Sequence, residues 1–308
     1  MIGYALRRFS AIVPTLWVVM TVLFFLLRAV PGGPFDSERA VPAEIEKAQL
    51  AYYKLNEPLW VQYTHWLKNV VIHQDLGPSF RHAGRTVNEI IWLSFPYSAK
   101  LGFWAAIVAL LVGIPLGVYA ATKHNKVGDH VAMGVAMTGV SVPRFVLAPL
   151  LVLVFSLKLY LLPAARWETW RHMILPVVCA GLPMAAYVAR LSRAGMLEVI
   201  KSDFVRTAKA KGMPMRRILL RHTLKGALLP VVIYLAPGLS SLLIGSLVIE
   251  RIFNIPGMGR YLVEAATNRD YNLVMGVVLV YGALVMTLNA VVDIAHRYFD
   301  PRVNVEGT

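Results

Sequence analysis

Charge is scarce in this sequence: of 308 residues only 16% are Asp, Glu, Lys or Arg, where an average soluble domain carries about 25%. Cysteine is scarcer still. The single Cys179 excludes a disulfide within the chain and leaves the redox compartment undetermined. No glycine-rich loop ends in Gly-Lys-Ser or Gly-Lys-Thr and no kinase-like set of motifs occurs, so the chain has no phosphate cradle of its own. The eight histidines form no His-x-x-x-His or His-Glu pair on a helix face, and no serine sits in a glycine-framed elbow. These gaps argue against a membrane enzyme; no residue is assigned as catalytic or as a metal ligand.

What the chain has instead is apolar length. Hydrophobic residues make up 57% of it, and they gather into runs of the roughly 20 residues that a helix needs to cross a bilayer core. The fold class expected is all-α and membrane-embedded, with about six transmembrane helices. A formal net charge of +14 raises nucleic acid as a partner. The runs leave no separate basic domain, however, and basic loops set orientation in a membrane. The expected surrounding is lipid, with no nucleic acid.

Arg7 and Arg8 precede an apolar stretch from Phe9 to about Val30, too long for a secretory leader and followed by Pro31-Gly32-Gly33-Pro34 rather than a cleavage site. Residues 1–30 read as an uncleaved first helix with its amino end in the cytoplasm. Charge nearly cancels over residues 31–98, an extracytoplasmic segment with helical patterning at Pro42–Leu55 and Leu59–Val71. A second span is expected over Ala99–Ala121, where Gly113 and Gly117 have the spacing that lets helices approach closely. Lys123 and Lys126 fit a cytoplasmic loop. The next apolar stretch, Val131–Leu162, exceeds one simple span, and Pro143 with Arg144 interrupts it; a bent or broken helix with its main crossing at Phe145–Tyr160 is expected. Met133 and Met137 within it read as packing. Further spans are expected at His172–Ala189, Ala227–Ile249 and Leu273–Ile294. The transmembrane core then covers 99–295, and the tail 296–308 returns to the cytoplasm.

Residues 190–225 hold ten basic side chains against Glu198 and Asp203, which places this loop on the cytoplasmic side. Within it, Ser202 to Gly212 reads as a short helix N-capped by Ser202, stopped by Gly212 and followed by a turn at Pro214, presenting small and basic residues outward. That compact order favours docking to another protein over a solvated polybasic run on anionic lipid. Two ionisable residues fall in or near apolar runs. Arg144 can snorkel or face a watery pathway; Asp293 can sit near the cytoplasmic end of the last helix.

These residues resemble a known family. Arg206-Thr207-Ala208 followed by Gly212 is similar to the Glu-Ala-Ala-x-x-x-Gly coupling loop of importer-type ATP-binding-cassette permeases. Glu250-x-x-Phe253-x-x-Pro256-Gly257-x-Gly259, Asn268-Arg269-Asp270-Tyr271, and Val292-Asp293 with Asp300-Pro301-Arg302 resemble the peptide and nickel branch. The opening Arg28 to Phe35, with Glu38-Arg39, is similar to the B subunit of oligopeptide permeases. The resemblance implies a bacterial inner-membrane permease of the type I importer fold, carrying half of the pathway for oligopeptides or dipeptides. It also implies a second homologous permease, two cytoplasmic ATPases that bind ATP and Mg, and an extracytoplasmic peptide-binding protein. The ATPases would be coupled through Asp203, Arg206, Thr207, Ala208, Lys211 and Gly212, while Arg144, Glu250, Phe253, Pro256 and Gly257 are candidates for the pathway or its gate. Arg206 replaces the glutamate of the general motif, and Arg144 stands where a small polar residue is expected. The alternative, an ion-coupled carrier or channel, should show an inverted repeat and paired broken helices, which the sequence lacks.

Overall fold

The computed structural model describes residues 2–35 and 43–299, and among these the regular structure is helical, with one isolated bridge between Pro78 and Thr86. Glu38, Arg39, Asp300, Pro301 and Arg302 lie outside the described residues. Helix α1 (Ile2–Ala29) leads to two short helices, α2 (Ala43–Tyr52) and α3 (Leu59–Lys68). Then come α4 (Val87–Thr122), α5 (Val127–Ser141), α6 (Arg144–Leu151, prolonged by π-helical turns over Val152–Lys158) and α7 (Trp170–Ile200). A basic hairpin follows, made of α8 (Asp203–Ala210), α9 (Met215–Arg217), a π-helical turn (Ile218–Thr223) and α10 (Leu224–Ala227). The chain closes with α11 (Leu229–Ile252), α12 (Met258–Thr267) and α13 (Tyr271–Phe299).

Among the described residues five helices are long and apolar enough to cross a membrane, and counting the bent pair α5–α6 as one span makes six. The break falls where the sequence places it. Pro143 offers no N–H and holds Val142 in extended geometry, so the chain bends by 106° before α6 begins. The helical stretch after the bend, Arg144–Lys158, rises about 22 Å, less than a hydrocarbon core of about 30 Å, so it does not make the expected crossing over Phe145–Tyr160 unaided.

Two spans start or end elsewhere than hydropathy suggests. Helix α4 begins at Val87, not Ala99, because Thr86 and Glu89 form a capping box: the Glu89 N–H donates to Thr86 Oγ1 at 3.2 Å and the Thr86 N–H donates to Glu89 at 3.3 Å. Val87, Ile90 and Ile91 then bury against Leu76 and Leu273, so the last part of the 31–98 segment belongs to a 36-residue helix about 54 Å long. Helix α7 likewise passes Ala189 and runs to Ile200, carrying Arg190 and Arg193. Helical packing continues there through Ser192, Gly195 and Met196, all buried, so the basic loop proper starts only after Ile200.

The core centres on α4 against α7. A Cβ added at Gly113 would sit 2.6 Å from the Ala185 carbonyl, one at Gly181 would sit 2.7 Å from that of Ala105, and Gly117 lies equally tight on Ala189 and Ser192. The two backbones touch along this seam, which is what the Gly113–Gly117 spacing permits. Helix α1 leans on α13: Met20 and Phe24 pack with Trp66 and Met275, and Arg8 pairs with Asp293 at 2.8 Å. Val13, Trp17, Val18 and Val22 on its other side are exposed, as a lipid-covered face would be.

Candidate coupling helix and pathway cleft

Helix α8 has two faces. Val205 and Ala208, three residues apart, are buried against Ile218 and Met213, whereas Asp203, Phe204, Arg206, Thr207, Lys209 and Lys211 are exposed. Ala208 therefore points into the hairpin and not outward, a correction to the expectation that the small residues face a partner. Ser202 also departs from expectation. It occupies the N-cap position, but its hydroxyl donates to the Val199 carbonyl at 2.6 Å and caps nothing in α8.

The stop is made by Gly212, whose φ of +72° lies in the left-handed region. Its N–H donates to the Lys209 carbonyl at 2.9 Å, the Met213 N–H donates to that of Ala208 at 3.2 Å, and the Met213 side chain packs beside Ala208. These are the two bonds and the apolar contact of a Schellman ending. Space around Gly212 is open, so the requirement for glycine comes from the backbone alone.

The hairpin rests on a firm base that sequence reasoning missed. Asp129, in the first turn of α5, is almost fully buried and accepts two bonds of 2.7 Å from the Arg193 guanidinium on α7, a third of 2.9 Å from the Asn125 N–H, and lies 3.6 Å from His124. A bidentate arginine–carboxylate pair fixes both position and angle. It joins the α4–α5 corner to the helix that leads into α8. The available signal was an acid in the first turn of a helix among basic residues, too common to single out Asp129.

Arg144 opens α6 at the break and borders a cleft of about 510 Å³ lined also by Pro237, Ser240, Ser241, Ile244 and Asn289. Its guanidinium donates to the Ser241 carbonyl at 3.3 Å, while Ser240 donates to the Ala236 carbonyl at 2.9 Å and meets Asn289 at 3.5 Å.

Glu250, Phe253, Pro256 and Gly257 do not line that cleft. Glu250 is fully buried and accepts from the Gly259 N–H at 2.7 Å and the Arg260 N–H at 3.3 Å, while Ser98 accepts from the Met258 N–H at 2.9 Å. Together they satisfy the free amides at the start of α12. Gly257 is required because a Cβ there would collide with the Glu250 carboxylate. Phe253 is buried, and its carbonyl accepts from the Arg166 N–H at 2.8 Å. The Glu250-to-Gly259 motif builds the α11–α12 corner.

The Asn268-to-Tyr271 motif has an equally concrete task. Buried Asp270 accepts from the Ser79 hydroxyl and from the N–H groups of Phe80 at 3.0 Å, Arg81 at 3.3 Å and Leu273 at 3.2 Å. Arg81 donates to the carbonyls of Asn268 and Pro34, both at 2.8 Å, and the Tyr271 hydroxyl to that of Gly32 at 3.3 Å. Pro31–Pro34, Ser79–Arg81 and Asn268–Tyr271 thus form one latch.

A membrane-spanning helical chain with a broken third span and a basic helical hairpin before α11 defines a class of transport permease, and comparison with known proteins agrees. Residues 113–305 match the family described as binding-protein-dependent transport system inner membrane component, and residues 1–101 match its N-terminal counterpart. The chain belongs to this family. It is 46% identical to the oligopeptide transport system permease protein OppB of Salmonella typhimurium, over 98% of this chain and 99% of that one. To the dipeptide transport system permease protein DppB of Bacillus subtilis it is 40% identical, over 99% of each. The fold is shared with the inward-facing MetNI methionine ABC transporter (TM-score 0.58, 15% identity, 69% of this chain and 97% of that one). An amino acid ABC transporter solved with histidines gives a TM-score of 0.54 at 17% identity, over 68% and 94%. The chain is thus an inner-membrane permease component of a binding-protein-dependent transport system.

Proposed function

We propose that this permease carries oligopeptides or dipeptides across the bacterial inner membrane as half of a pathway completed by a second homologous permease. Two cytoplasmic ATPases would hold ATP and Mg and supply the energy, and an extracytoplasmic binding protein would deliver the cargo. End-to-end similarity to OppB and DppB supports the cargo, and the lack of any phosphate-binding loop supports separate ATPases.

The observation that carries the coupling role is the geometry of α8. Asp203, Arg206, Thr207 and Lys211 stand exposed on a helix whose opposite face, Val205 and Ala208, is pinned to its own hairpin and whose end is set by Gly212. A short helix so mounted can transmit a push, because it cannot fold back or slide when gripped. Closure of the ATPases around ATP would move α8, and through the Asp129–Arg193 pair and α7 the spans would switch between two discrete packings. We assign Arg144 to the pathway, and Glu250, Phe253, Pro256 and Gly257 to the packed corner that steadies its outer mouth. Both termini and the basic hairpin would face the cytoplasm.

Affinity purification from solubilised membranes tests the assembly: a second permease and ATPase subunits should come down with this chain. Purification of this chain alone in a transport-competent state would overturn the reading. So would modification of Lys209 or Lys211 by an impermeant amine reagent applied outside intact cells.

A further inference from the structure

We infer that the cleft at Arg144 selects for carboxylate, so that peptides carrying extra negative charge pass this subunit more readily than basic ones; the inference rests on the peptide-importer reading. Three elements converge there: the first residue of α6 after the break, the middle of α11 and the inner half of α13. Ser240 stands about three turns from the start of α11 and Asn289 lies five residues before the end of the apolar stretch of α13, so the two meet within the membrane-spanning layer. A guanidinium at that depth is costly and calls for a function.

Its surroundings say what it receives. Two other charges on the spans are answered within the chain, Arg193 by Asp129 and Arg8 by Asp293. Among the described residues Arg144 has one hydrogen bond, to the Ser241 carbonyl at 3.3 Å, and no carboxylate forms an ion pair with it. The cleft's other polar groups are the hydroxyls of Ser240 and Ser241 and the amide of Asn289, all uncharged. Arg144 thus gives the cleft a net positive charge, with guanidinium N–H groups left for a planar acceptor. The fork of an arginine matches a carboxylate with two parallel bonds, and hydroxyl and amide groups beside it suit peptide N–H and C=O groups. A volume of about 510 Å³ lies within the range of sites for small ligands.

The test is uptake by the complete importer in cells lacking the native copy of this chain, using radiolabelled Ala-Glu-Ala, Ala-Gln-Ala and Ala-Lys-Ala. Rates are divided by the binding protein's measured affinity for each peptide, so that only the permease step is compared. In R144S the preference for Ala-Glu-Ala over Ala-Gln-Ala should fall about tenfold. R144K should retain part of it, and R144E should favour Ala-Lys-Ala. Should R144S fail to reach the membrane by immunoblot, R144K and R144E decide. Unchanged ratios in R144E with uptake preserved overturn the inference and leave the importer reading standing. Uptake of none of the three peptides by the wild-type assembly overturns both.

Discussion

The two ends of this molecule are held together in opposite ways. At one end, Asp270 is buried and spends its oxygens on Ser79, Phe80, Arg81 and Leu273, fastening the segment before α4 to the start of α13. At the other end, α8 keeps its charges in the open; among the described residues its one ion pair, Asp203 with Arg206 at 3.4 Å, is exposed on both sides. Buried polar networks specify a fixed shape, whereas exposed ion pairs contribute little to stability. The latch completes itself within the chain, and the hairpin leaves its charged face exposed.

If that contrast is right, the largest loss of stability comes from Asp270→Ala. It leaves the Ser79 hydroxyl and buried amides without an acceptor and should cost about 3 kcal/mol, read as a lower unfolding temperature in detergent and faster proteolysis between residues 76 and 86. Asp129→Ala comes next. It strips the partner from a partly buried guanidinium and should cost about 2 kcal/mol by the same thermal measurement, with uptake reduced several-fold because α7 loses its anchor. Gly212→Val should cost roughly 1 to 2 kcal/mol from backbone strain alone, since nothing crowds the site. Its main effect should be functional: the subunit inserts, ATP is hydrolysed, and peptide uptake fails. Normal uptake by this variant would refute the coupling role. The smallest structural effect belongs to Arg206→Ala, which should leave the unfolding temperature unchanged while weakening co-purification of the ATPases. A stability loss there as large as that of Asp270→Ala would erase the contrast between the two ends.

Apolar runs made the spans and the break at Pro143 legible, because lipid demands length and proline removes a backbone donor. Helix ends were less legible. Hydropathy marks the bilayer, but Thr86 and Glu89 start α4 by hydrogen bonding well outside it, and Arg193 extends α7 by pairing with a residue 64 positions away. Asp129 and Asp270 escaped notice as structural anchors for the same reason: each answers partners remote in sequence. At α8 the stop was readable from Gly212 and the exposed charges from composition. The inward turn of Ala208 was not, since it depends on Ile218 from the other arm of the hairpin.

The seam between α4 and α7 constrains how such a molecule can move. With Gly113, Gly117 and Gly181 laid directly on the opposing main chain, the two helices touch backbone to backbone at three points along the seam. Sliding one along the other would drive carbonyl oxygens into Cβ atoms at every step. The pair must travel as a single plank, and any rocking that opens one side of the membrane and closes the other has its pivots elsewhere, with the 106° elbow at Pro143 the most prominent of them.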